Sequence, residues 1–363
     1  MNSSREKLVL VVALSAVALM AAGVVFFRFT SDDATLGPGA TYDLSTYVKA
    51  RSVGQWRMVS QELALQPAYS LAVDGAGRVA VGGLGEIVLC PVAVWRDEAV
   101  KAPFEIVPVP ALFGERSLGR VLSLAFDADG ALFVGQTDGI ALWQPDSRQQ
   151  RTWVKFLDRP GCSIVNIVVT DDMIFAADAA SRTVLCLDRD GNVVRTIDGR
   201  DGSGGEPDSV GFVLPSPHWA MAMGADGLLR IANPGRRRVE AWTVDGHREF
   251  VWGQGGPGVG QFSGCCNPAA LAVLDDGRIV TAEKGDLLTV TVFEPDGPQA
   301  GTAGQVSCVI AGPDRFVTED GAVAVAALPD GTVLVLQTPG GVLSVFEPPR
   351  AASVPPVSGE ESP

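Results

Sequence analysis

One short pattern occurs six times in this chain: an apolar run, an Asp/Gly turn, a second apolar run, a polar break and a third run. The copies start at Ser70, Ser123, Asn166, Ala220, Ala270 and Ala324, at spacings of 53, 43, 54, 50 and 54 residues. A repeat of this period marks a propeller or a solenoid, because one unit cannot bury its apolar face alone and must stack on its neighbours. The third copy shows the unit most plainly. Apolar runs at 166–169, 173–177, 183–187 and 192–197 are divided by Asp171-Asp172, a polar break and Asp190-Gly191. That pattern predicts a four-stranded antiparallel meander.

The fourth strand recurs at 104–108, 151–157, 247–252 and 305–310, but the last repeat ends at Pro348-Pro349 without one. An orphan run, Gln55-Trp56-Arg57-Met58-Val59, precedes the first repeat. Pairing that run with the last repeat would close the ring and cover the sheet edges that otherwise invite aggregation. The expectation is therefore an all-β, six-bladed β-propeller. An open β-solenoid explains neither the missing last strand nor the orphan first one.

Two further stretches carry a family likeness. Trp252-Gly253-Gln254-Gly255-Gly256 runs into Gly260-Gln261-Phe262, then a Pro, an apolar strand and Asp-Gly. Asn233-Pro234-Gly235-Arg236-Arg237-Arg238-Val239 precedes Asp245-Gly246. In these features the chain resembles the NHL-repeat family, closely in repeats three to five and loosely in the others. The resemblance implies a six-bladed propeller that binds proteins or ligands; a minority of related propellers are enzymes.

Ahead of the repeats lie twenty uncharged residues, 8–27, with Arg5 and Lys7 before them and Arg28 after. At about 1.5 Å per residue such a helix spans about 30 Å, one bilayer crossing. A cleaved signal peptide is the rival, but its apolar core usually runs about 7–15 residues, and Thr30-Ser31-Asp32-Asp33 offers no Ala-x-Ala site. Arg5 and Lys7 orient the N-terminus inward. The expected layout is an anchor at 1–28, a tether at 29–50, a propeller at 51–348 and a disordered Pro/Ser/Glu tail at 349–363. The propeller would then sit on the periplasmic side of the inner membrane. The net charge of −14 argues against nucleic acid as a partner, since that needs a basic surface. Arg236-Arg237-Arg238 is the basic cluster, read as a solvated loop.

Six cysteines outside the cytoplasm invite disulfide counting, yet the register discourages it. Cys90, Trp143, Cys186, Trp242, Phe293 and Phe346 share one column in the third strand, which assigns Cys90 and Cys186 to the core. Cys162 and Cys266 each stand four residues before the first strand of their repeat, in a column with Gln66, Gly119, Ser216 and Asp320. No large apolar residue occurs there, so the column is expected to face water around one mouth of the central channel. Cys265-Cys266-Asn267 places two thiols side by side on that face, and Cys308, a sheet-width away, is not expected to pair with them.

Strand polarity brings the loops between second and third strands to the same mouth. They carry Asp178, Asn233, Glu283-Lys284-Gly285 and Gln337, and His218 begins a nearby inner strand. The pairing of Gly264-Cys265-Cys266-Asn267-Pro268 with Glu283-Lys284-Gly285 is similar to one in a subset of bacterial NHL-like proteins. Candidate ligand-binding residues are therefore Cys162, Cys265, Cys266, Asn267, His218, Asp178, Glu283 and Lys284.

Each has a structural alternative: a stiffened turn for the thiols, loop charges for Glu283 and Lys284, packing for His218. The sequence contains no G-x-S-x-G, H-E-x-x-H, C-x-x-C-H or Walker motif. The leading reading is a non-catalytic module binding an extracytoplasmic protein or small ligand. The alternative is an enzyme or redox module, with Asp178, Asn233, Glu283 and Asp320 as oxygen ligands for Ca²⁺, or Cys162, Cys265 and Cys266 as thiolate ligands or a redox pair.

Overall fold

In the computed structural model, residues 57–348 are described, apart from 63–66, 97–104, 109–118, 145–146, 148, 157–159, 201–209, 257, 259, 286, 295–303, 317–321 and 339–340. The anchor, tether and tail expected from the sequence lie outside the described residues, as do Gln66 and Asp320. Among the described residues no helix is long and apolar enough to cross a membrane.

The strands form six four-stranded antiparallel sheets. A lone first strand, β1 (Arg57–Glu62), precedes blade one: β2 (Ser70–Val73), β3 (Arg78–Gly82), β4 (Glu86–Pro91) and β5 (Glu105–Pro108). Blade two holds β6 (Ser123–Phe126), β7 (Leu132–Gln136), β8 (Gly139–Gln144) and β9 (Gln149–Lys155). Blade three holds β10 (Ile164–Val169), β11 (Met173–Asp178), β12 (Thr183–Asp188) and β13 (Val193–Ile197). Blade four holds β14 (Met221–Met223), β15 (Leu229–Asn233), β16 (Arg238–Trp242) and β17 (Arg248–Trp252). Blade five holds β18 (Ala270–Val273), β19 (Ile279–Ala282), β20 (Val290–Phe293) and β21 (Val306–Ala311). Blade six holds β22 (Ala322–Ala327), β23 (Val333–Thr338) and β24 (Val342–Glu347), completed by β1.

That last pairing closes the ring. β1 runs antiparallel to β24, with Met58 opposite Phe346 and Gln61 opposite Leu343. The innermost strands touch in sequence, β2 to β6, β10, β14, β18 and β22, and β22 returns to β2. Each blade thus has a neighbour on both faces, and the second strands are largely apolar and buried, as doubly covered strands are. In β3, Val79 and Val81 pack towards blade six while Ala80 packs towards blade two. In β11, Ile174 and Ala176 face blade two while Phe175 and Ala177 face blade four.

The core is accordingly a ring of six inter-blade layers. The bulky column read from the sequence lies within it: Cys90, Trp143, Cys186, Trp242, Phe293 and Phe346 are all buried. Burial pushes the Cys90 and Cys186 thiols up to about 11, although the Trp95 indole donates to Cys90 Sγ at 2.8 Å. None of the six cysteines forms a disulfide.

The Gly-rich stretch after β17 has a steric cause. Gly253 sits at φ 119°, and a Cβ there would come within 2.7 Å of the Arg238 Cα. Only glycine allows the chain to pass so close to its neighbouring strand.

Candidate functional site

The inner strands surround a channel cavity of about 360 Å³, whose lining includes Tyr69, Arg120, Asn166, His218, Trp219 and Thr338. The loops entering the inner strands and those between second and third strands share one face, and hydrogen bonds tie them together. Ser163 N–H donates to Asp178 Oδ1 at 2.8 Å, and Val213 N–H to Asn233 Oδ1 at 3.0 Å. Ser263 N–H donates to Glu283 Oε2 at 2.8 Å. Asp178, Asn233 and Glu283 occupy the same position in successive repeats. Their shared duty is to accept a backbone donor from the entry loop that no strand pairs.

This duty changes the meaning of two candidates. Asp178 is 1% exposed, and its carboxylate also accepts from Ala180 N–H at 3.1 Å and Ser181 Oγ at 2.5 Å. Asn233 turns its amide to Glu240, which takes Nδ2 at 2.8 Å, Arg238 Nε at 2.7 Å and Trp242 Nε1 at 3.0 Å. Neither residue lines the channel cavity, nor does Glu283. Among the described residues no group of three His, Cys, Asp or Glu side chains comes together as a metal site, and Asp178, Asn233 and Glu283 each accept a hydrogen bond from their own entry loop.

Cys162 corrects the expectation of a water-facing column. It is 3% exposed and packs with Ile140, Phe156 and Ile164. The cause is in the backbone: Asp138 N–H donates to the Cys162 carbonyl at 3.0 Å, and Thr137 bridges Ser163. These bonds draw the entry loop inward, and β10 begins at Ile164 instead of Asn166. Cys162 thus stands two residues before its strand and inside the core.

The remaining candidates do gather, where blades four and five meet. Cys265 is exposed and Cys266 half-buried, with their Sγ atoms 3.1 Å apart. Asn267, buried beside them, holds the turn: its Nδ2 donates to the Ser263 carbonyl at 2.9 Å and its Oδ1 accepts Lys284 N–H at 2.8 Å. Glu283 grips the other end of the turn through Ser263 N–H and the Ser263 hydroxyl. Burial pushes the Glu283 carboxyl up to about 7, against both of those hydrogen bonds.

His218, from the entry loop of blade four, is pushed down to about 4 by burial and then by the Lys284 charge. Burial and the Cys265 thiol raise Cys266, opposed by Lys284 and the Ser216 hydroxyl. That hydroxyl is buried and otherwise without a hydrogen-bond partner. Cys265, Cys266, Lys284, His218 and Ser216 therefore form one electrostatic neighbourhood at the mouth.

Sequence reasoning passed over Arg120 and Tyr69, whose guanidinium and ring stack at 4.9 Å and line the same cavity. The signal was present, because Arg120 directly follows Gly119 of the mouth column.

No protein-family model and no curated protein matches the chain. Solved structures do. A gluconolactonase from Xanthomonas campestris superposes with a TM-score of 0.52 at 14% identity, over 85% of this chain and 93% of that one. Virginiamycin B lyase from Staphylococcus aureus gives 0.51 at 12% identity, over 81% of this chain and 100% of that one. A chain of the mitotic checkpoint complex gives 0.50 at 12% identity, over 79% and 93%. This is a six-bladed β-propeller. At such identities the likeness shows the fold alone, and the NHL resemblance rests on its motifs.

Proposed function

We propose that this chain is a membrane-anchored, periplasmic propeller that binds an extracytoplasmic protein or small ligand at the mouth of its channel. The observation that carries the binding reading is the cavity of about 360 Å³ with Arg120, Tyr69 and His218 in its lining. Convergent polar groups around a preformed concavity are what ligand sites are made of. His218 stays neutral near pH 7, and Arg120 and Lys284 bring positive charge to this face. In a chain of net charge −14, cations at the opening favour an anionic group on the partner. The anchor reading rests on residues 8–27 and the flanking Arg5 and Lys7.

Site-specific photo-crosslinking in intact cells tests the binding face. A photoreactive residue at position 120 should trap the partner, and one at Ile106, 61% exposed on the outer strand β5, should not. Crosslinks confined to position 106 would move the interface to the blade edges. For the anchor, mass spectrometry of membrane-extracted protein should recover the peptide containing residues 8–27; a mature chain starting near residue 30 would exclude it.

A further inference from the structure

The dithiol turn has a chemistry of its own, separate from partner binding. Cys265 and Cys266 are adjacent, their sulfurs 3.1 Å apart, and the turn bearing them is fixed at both ends, by Asn267 to Lys284 and by Glu283 to Ser263. The other four cysteines, Cys90, Cys162, Cys186 and Cys308, are buried. Burial and the neighbouring Cys265 thiol raise Cys266, and the Lys284 charge partly offsets that rise, as a cation near a reactive thiol does. We propose that Cys265 and Cys266 are a thiol–disulfide exchange site at the channel mouth, acting on small external disulfides.

The Cys265 thiolate attacks an external disulfide RSSR. The Cys265–SR bond forms, the RS–SR bond breaks, and the leaving RS⁻ takes up the proton that Cys265 released. The Cys266 thiolate then attacks the Cys265 sulfur, and a second RSH leaves with the proton of Cys266. Two protein thiols have lost two electrons and two protons, and RSSR has become two thiols. The second step closes the sulfurs from 3.1 Å to about 2.05 Å and forms an eight-membered ring through the Cys265–Cys266 peptide. Reduction by two equivalents of RSH reverses the sequence. Cys265 is the entry point because it is the exposed partner, and Cys266 resolves because it is half-buried.

Alkylation-trapping mass spectrometry of the native full-length chain, in buffers of graded reduced and oxidised glutathione, tests this. In reducing buffer the native protein should alkylate at Cys265 and Cys266 alone. With rising oxidised glutathione both thiols should disappear together, leaving a chain lighter by two hydrogens and without a lasting glutathione adduct. Cys266→Ser should stop at one adduct on Cys265, and Lys284→Gln should slow the loss of thiols. A wild-type chain that keeps both thiols throughout, holds a stable adduct, or forms an interchain dimer on a non-reducing gel would overturn the proposal. Thiol counts do not depend on the partner, so failure here leaves the crosslinking result standing, and the reverse.

Discussion

Asn267 and Lys284 exchange hydrogen bonds across two loops: Lys284 N–H donates to Asn267 Oδ1 at 2.8 Å, and Asn267 Nδ2 donates to the Lys284 carbonyl at 3.3 Å. A buried amide is thereby used as a clamp that sets where the thiols and the Lys284 side chain stand. Asn267→Ala removes the partner of half-buried backbone groups in Ser263 and Lys284, at a cost of about 1 kcal/mol or more. The melting temperature should fall, and alkylation of Cys265 and Cys266 should change in rate. An unchanged melt would mean that the amide holds nothing.

Glu283 makes stability depend on pH. Its carboxyl is raised from 4.5 to about 7 in the fold, so between those values the folded chain binds more protons than the unfolded one. Stability is therefore full below about pH 4.5 and declines as pH rises through about 7, by on the order of 2–3 kcal/mol for this group. Glu283→Gln cannot ionise and should flatten that decline in thermal melts between pH 5 and 8. A wild-type slope retained in the variant would assign the dependence elsewhere.

His218 acts in the opposite direction. Lowered from 6.5 to about 4, it contributes stability that is present above pH 6.5 and lost as pH falls towards 4, because the unfolded chain then binds the extra proton. His218→Asn should remove this acid-side loss in denaturant titrations at pH 4.5 and 7. Equal loss in both proteins would exclude His218 as its source.

Cys90 and Cys186 are core filler with thiols held neutral by burial. Cys90→Ala and Cys186→Ala should each cost about 1–3 kcal/mol in chemical unfolding and leave crosslinking from position 120 intact. A stability loss below about 0.5 kcal/mol, the range of surface changes, would contradict close packing at these positions.

The β1–β24 pairing closes the ring. Deleting residues 57–62 strips β24 of its partner and exposes an edge of unpaired N–H and C=O groups. The truncated protein should aggregate or lose its cooperative melt. A monomer with an unchanged melting temperature in light scattering and calorimetry would show that closure does not depend on β1.

Much of the architecture was legible before any coordinates. The repeat spacing, the missing strand after Phe346 and the orphan run before Ser70 together imply six blades and a closing strand, because period-2 apolar runs and Asp/Gly turns are local properties of the chain. The burial of Cys90 and Cys186 followed from their column with Trp143 and Trp242. The thiol turn was visible as Cys265-Cys266, and its neighbour Lys284 as a loop charge in the same blade. What only the tertiary structure decided was where each polar side chain spends its hydrogen bonds. Asp178 and Asn233 look like channel ligands by position but are occupied by Ser163 and Val213 of their own entry loops. Cys162 has the same offset as Cys266, yet the Asp138 bond to its carbonyl pulls it into the core. Burial and partner choice arise from contacts between segments far apart in sequence, so offset from a strand could set the face of the propeller but not the environment each side chain meets there.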